Sequence, residues 1–72
     1  MDSSAKAIEA HRDREAYAKA MIDGNHVRAF RIEQKYGFDG YTPELVSIGL
    51  SAISEGKDGD EAIEKHLQGD DE

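Results

Sequence analysis

Three short segments contain the residues whose types and order most clearly suggest a functional role. Arg31-Ile32-Glu33 is typical of the end of a helix that presents one carboxylate. Thr42-Pro43-Glu44-Leu45 predicts a helix start, because Thr accepts from a free backbone N–H and Pro fits the first helical position. Asp60-Glu61-Ala62-Ile63-Glu64-Lys65 opens another amphipathic helix. No segment is diagnostic alone, so the order of the three carries the information.

The side chains that commonly bind metals or act in catalysis form no recognisable motif. His11, His26 and His66 are too scattered for a zinc site, so we expect surface histidines and no metal. Asp58-Gly59-Asp60 is similar to part of a calcium loop, but the rest of that loop is missing, which favours a capped turn. Without a cysteine, a nucleophile motif or a Gly-rich phosphate loop, we expect no enzyme activity and no cofactor.

The composition is that of one small acidic domain. The 72 residues include 16 Asp/Glu and 9 Lys/Arg, and the net charge of −7 argues against nucleic-acid binding because phosphate backbones repel such a chain. We expect neither a membrane span nor a signal peptide. Together with the lack of cysteine, these features predict a cytoplasmic protein. A core of this size supplies only about 3–5 kcal/mol, so we expect a partner to add stability.

Helix signals predict an all-α domain of three or four helices. We expect helices over residues 4–23, 26–36, 43–55 and 60–68, the last two as a C-terminal hairpin. Gly24-Asn25 leaves two alternatives: a helix end followed by a new cap, or one continuous helix that tolerates Gly24. Residues 1–25 are predicted to form an N-terminal helical extension that is solvated up to Glu15, 26–67 the core and 68–72 an acidic tail. The inward residues expected in the last helix are Ala62, Ile63 and Leu67.

The helix predicted over residues 26–36 carries more apolar surface than a two-helix hairpin can cover. Val27, Phe30 and Gln34 share one face, and Ile32 lies beside it. One interpretation is an ordinary three-helix core. The other is a helix that lies in the groove of a partner protein, which would make this chain a protein–protein interaction module.

The order of the three segments resembles the small helical antitoxins of the VbhA type, which silence Fic-domain adenylyltransferases. In that family one helix carries Ser or Thr, three residues, Glu, then Gly or Asn; a Pro-Glu helix and a helix opening near Glu-Glu-Ala-Ile follow. The resemblance covers about residues 26–67. Ala29-Phe30-Arg31-Ile32-Glu33-Gln34 corresponds to the motif, Phe38 through Leu45 to the turn and second helix, and Glu61-Ala62-Ile63-Glu64-Lys65 to the third.

This resemblance implies a toxin–antitoxin function. The chain would bind a Fic-domain protein in a hetero-complex and inhibit its AMPylation activity, which transfers AMP from ATP to a target hydroxyl. Glu33 would be the inhibitory residue, because a carboxylate can compete with the ATP γ-phosphate for the Arg that holds it. The partner-binding residues implied on this helix are Val27, Ala29, Phe30, Arg31, Ile32 and Tyr36.

The chain departs from the family pattern at two motif positions. Ala29 stands where the family has Ser or Thr, and Gln34 stands where it has Gly or Asn. Asp23 and Glu55, each followed by a glycine, are the two other candidates for the inhibitory carboxylate. The alternative function class is a protein-interaction or scaffold module unrelated to Fic.

Overall fold

Four helices make up most of the described chain. The computed structural model describes residues 2–69, so the predicted acidic tail lies outside the described residues from position 70 onward. The helices are α1 (Asp2–Asp23), α2 (His26–Lys35), α3 (Pro43–Ser54) and α4 (Gly59–Leu67), and this part of the chain contains no strand. The all-α prediction is confirmed, and each helix boundary lies within two residues of its predicted position.

A left-handed glycine separates α1 from α2 and decides between the two alternatives there. Gly24 has a φ of +75°, and the N–H of Asn25 donates to the carbonyl of Ala20 at 2.8 Å, which closes the end of α1. The side chain of Asn25 accepts from the N–H of Arg28 at 3.3 Å and so caps the start of α2. The chain therefore forms two helices here.

Side-chain caps set the starts of α3 and α4. Thr42 Oγ1 accepts from the N–H of Leu45 at 3.4 Å, with Pro43 in the first helical turn. Asp58 Oδ1 accepts from the N–H of Asp60 at 2.9 Å. Asp58-Gly59-Asp60 is therefore the capped turn that the sequence predicts.

The two central helices are α1 and α3, and each of the other two helices packs against one of them. α1 packs against both α2 and α3, and α4 packs against α3, which confirms the predicted pairing of the last two helices. α2 thus packs mainly on α1 and α4 on α3, while Lys35 at the end of α2 and Asp60 near the start of α4 line the same depression. The largest fully buried side chains are Phe38, Leu50, Ile63 and Val46.

α1 contributes to the core, and its burial begins at Ala10, within the stretch up to Glu15 that is predicted to be solvated. Ala10 is fully buried, and Tyr17 and Ala20 are each 3% exposed. Alanines bury little area each, so they give only a weak apolar signal in the sequence. They nevertheless let neighbouring helices approach closely, and this is how α1 joins the core.

Two further findings concern the apolar surface. Leu67, expected to face inward, is 61% exposed, whereas Ile63 is fully buried as predicted. Leu67 follows Asp60 and Glu64 at helical spacing, so it shares their solvent side of α4. Among residues 2–69, no helix is both long and apolar enough to cross a membrane.

α3 and α4 approach each other closely at two glycines. A Cβ on Gly49 would lie 2.5 Å from Phe38 Cζ and 3.0 Å from Ile63 Cδ1. A Cβ on Gly59 would lie 2.9 Å from the carbonyl oxygen of Gly49. The interior of the domain therefore has no room for a side chain at either position.

Replacing Gly49 with Ala is expected to lower the free energy of unfolding by about 1–2 kcal/mol. Because the nearest contact would be only 2.5 Å, we expect an overpacking cost in the upper part of the usual range, about 2–3 kcal/mol, and the better helix propensity of Ala returns about 1 kcal/mol of it. The measurement is urea unfolding followed by far-UV circular dichroism. Ser47→Ala, at an exposed position of the same helix, serves as the control and should shift stability by no more than about 0.5 kcal/mol. A Gly49→Ala protein more stable than wild type would contradict the close approach.

Candidate functional site

The candidate site is the solvent-facing side of α2. Val27 is 67% exposed, Phe30 is 49% exposed, and Arg31 and Gln34 are also exposed. These four residues follow one another at helical spacing on a single side of the helix, and we call them the α2 face. Three of the predicted partner-binding residues, Val27, Phe30 and Arg31, lie together on it; their binding role stays a prediction.

The opposite side of α2 holds the helix on the domain. Ala29 is 3% exposed and Ile32 is 7% exposed, and both belong to the hydrophobic core. In this fold they anchor α2 to its own chain and present no surface to a partner. The pattern of apolar residues alone does not separate them from Val27 and Phe30, because it does not reveal which side of α2 meets α1.

Glu33 lies between the α2 face and the buried side of the helix. Its Oε2 accepts a hydrogen bond from the hydroxyl of Tyr17 on α1 at 2.9 Å. Burial of Tyr17, followed by this hydrogen bond, raises the pKa of the phenol well above its ordinary value. No ion pair involves Glu33 within the described range. The half-buried carboxylate is therefore held by a neutral donor.

The two rival carboxylates lie elsewhere in the fold. Asp23 ends α1 and forms an exposed ion pair with Lys19 at 3.3 Å. Glu55 directly follows α3, and its carboxylate lies 3.5 Å from Lys57 Nζ. Neither residue belongs to α2, so Glu33 alone of the three adjoins the α2 face.

A polar cluster joins the C-terminal end of α2 to α1. Lys35 Nζ donates to Glu9 and also to Asp13, the latter at 2.9 Å, and the Tyr36 hydroxyl donates to Asp13 as well. The hydrogen bonds to Glu9 and Asp13 raise the pKa of Lys35, and burial followed by the hydrogen bond to Asp13 raises that of Tyr36. Since Lys35 is 46% exposed, each ion pair contributes at most about 1 kcal/mol. Tyr36, predicted to bind a partner, is engaged within its own chain.

The histidines make separate contacts. His11 lies 3.3 Å from Glu15 on the same helix, and His66 lies 3.7 Å from Glu44 of α3. His26 is exposed at the start of α2. Within residues 2–69, no three acidic or histidine side chains come together in a way that could hold a metal ion.

No family model, curated protein or solved structure matches this chain. The features that bear on its function are therefore the α2 face, Glu33 and the resemblance of the three sequence segments.

Removing the hydroxyl of Tyr17 is expected to lower the free energy of unfolding at neutral pH by about 1–2 kcal/mol. The variant Tyr17→Phe keeps the buried ring but leaves the half-buried Glu33 carboxylate without its donor. Tyr41→Phe is the matched control, because no hydrogen bond of the Tyr41 hydroxyl is found in the described part of the chain. Urea unfolding of both variants gives the comparison.

The same hydrogen bond predicts a dependence on alkaline pH. The pKa of Tyr17 is raised in the folded state, so the neutral phenol stabilises the fold fully below the unfolded pKa of about 10. This contribution is lost as the pH rises above that value towards the folded pKa. Wild-type stability should therefore fall between about pH 10 and pH 12, and Tyr17→Phe should show a smaller fall. Equal falls for the two proteins would contradict the assignment.

Proposed function

We propose that this chain is a non-catalytic protein-binding module, and that its partner is a Fic-domain adenylyltransferase, which it inhibits as an antitoxin. The observation that carries the binding proposal is the α2 face. Its Phe30 and Val27 side chains are exposed although the core-facing side of the same helix is already filled by Ala29 and Ile32. The domain therefore leaves large apolar side chains on α2 that its own core does not need.

Docking of this face would release substantial free energy. Fully burying a Phe or Val side chain contributes about 1.5–3 kcal/mol, and an amphipathic helix laid into a groove is a common mode of recognition. Arg31 and Gln34 border the apolar pair and supply polar groups for the rim of such an interface.

Glu33 is suited to pair with an arginine of the partner. Tyr17 occupies one acceptor position on Oε2, and a carboxylate has further lone pairs on both oxygens. The phenol orients the carboxylate without neutralising its charge. A partner guanidinium could therefore form a charge-assisted pair with Glu33, in competition with the γ-phosphate of ATP.

The choice of a Fic partner is supported by the order of segments along the fold. The motif-like residues 29–34 lie on α2, Thr42-Pro43-Glu44 starts α3, and residues 61–65 lie within α4. This is the sequence of elements that the resemblance implies. The proposed compartment is the cytoplasm, and the proposed complex contains neither nucleic acid nor membrane.

The test uses a Fic-domain protein encoded beside this chain, with AMP transfer as the readout. Wild-type chain should suppress transfer, and Glu33→Gln should release it by roughly 10- to 100-fold, the equivalent of one hydrogen bond to a charged group. The amide introduced by this substitution keeps an acceptor oxygen for Tyr17, so the fold and the binding should persist. Asp23→Asn and Glu55→Gln are the matched controls and should still inhibit.

Binding and inhibition are separated by a second variant. Phe30→Ser should weaken the complex itself, measured by titration calorimetry, while leaving the circular dichroism spectrum unchanged. If the Glu33→Gln variant still inhibits AMP transfer, Glu33 is not the inhibitory residue. A Fic-domain protein that does not bind the wild-type chain would defeat the antitoxin proposal and leave the interaction module unrelated to Fic.

A further inference from the structure

The outward side of α4 is also unpartnered in this fold. Leu67 is 61% exposed, and Asp60 and Glu64 are exposed on the same side at helical spacing. We call these three residues the α4 face. They combine one large apolar side chain with two carboxylates that form no ion pair within the described residues.

Charge is distributed unevenly along the chain. Residues 1–36 contain seven Lys/Arg and six Asp/Glu, whereas residues 37–72 contain two Lys/Arg and ten Asp/Glu. α2 itself has three basic residues and one acidic residue. Its Arg28 and Arg31, together with Lys35 and with Asp13 of α1, line a depression of about 520 Å³ beside Val27. The side of α2 that carries Val27 therefore combines apolar and basic groups, whereas the charged groups of the α4 face are both acidic.

The two faces match when their helices run antiparallel. α2 has 10 residues and α4 has 9, so they are nearly equal in length. In this orientation the N-terminal half of α2, with Val27 and Phe30, meets Leu67 at the C-terminal end of α4. Arg31, further along α2, then lies opposite Glu64.

We propose that a second copy of this chain seats its α4 face antiparallel on the α2 face of the first. The contact is heterologous, because it joins two different surfaces of the chain, one on α2 and the other on α4. A second copy is the occupant because this chain itself supplies both complementary surfaces. Repulsion between molecules of net charge −7 opposes the contact at long range, but it is largely screened at about 0.15 M salt.

This association is separate from the proposed inhibition, although both use the α2 face. A Fic partner seated on that face would exclude the second copy. Substitution of Glu64 does not alter α2, so loss of self-association in such a variant leaves the inhibition test unaffected. The two proposals can therefore fail independently.

Sedimentation velocity on the full chain tests the contact at concentrations up to about 1 mM, since interfaces of this small size bind weakly. Wild type should self-associate reversibly at about 0.15 M salt and less at about 1 M salt. Arg31→Glu and Glu64→Lys should each raise the dissociation constant at least about tenfold, because each places like charges together. Arg12→Glu and Glu61→Lys reverse equally exposed charges outside the two faces and should retain association.

The double variant Arg31→Glu/Glu64→Lys decides the pairing. It exchanges the two charges within one chain, so the opposite pair is restored across the contact and self-association should return. Circular dichroism verifies that each variant is folded. A wild-type chain that stays monomeric throughout, or a double variant no better associated than the single ones, would overturn the proposal.

Discussion

The ring of Phe38 lies beside the two glycines at which α3 and α4 approach each other, and the placement of α2 depends on it. Phe38 is 1% exposed, and Gly49 and Gly59 leave the space that its ring occupies. Phe38 is also linked directly to the end of α2, where its N–H donates to the carbonyl of Glu33 at 2.7 Å. One buried ring thus connects the helix that carries the candidate site to the pair of helices behind it.

Polar contacts complete the attachment of α2 to α1. Tyr17 meets Glu33 in the second half of α2, and Lys35 meets Glu9 and Asp13 at its end. The buried side of α2 needs only Ala29 and Ile32, because these polar contacts and the ring of Phe38 supply the rest. A short helix is held in a fixed orientation in this way while its larger apolar side chains remain in solvent.

The helix boundaries were predictable because they are specified by neighbouring residues. A glycine with positive φ ends a helix, and an Asn, Thr or Asp side chain starts the next one, all within a few positions along the chain. The sides on which helices meet are decided between distant residues. Local sequence patterns therefore could not predict the burial of Ala10, the exposure of Leu67 or the hydrogen bond between Tyr17 and Glu33. The family resemblance predicts Glu33 as a candidate residue. Its half-buried position and its hydrogen bond to Tyr17 are visible only in the structure.

The glycine that ends each of the first three helices has a consequence for folding kinetics. Gly24, Gly37 and Gly56 all have positive φ, and each is followed by an N–H that donates back into the preceding helix. Helices whose ends are encoded locally have few competing end points when they form, so local and global preferences agree. Among the three main helix pairs, α1 and α3 are the most distant in sequence, so their contact carries the largest loop-closure cost. A chain of this kind is expected to fold on the microsecond-to-millisecond scale of helical domains, with a transition state organised around that contact.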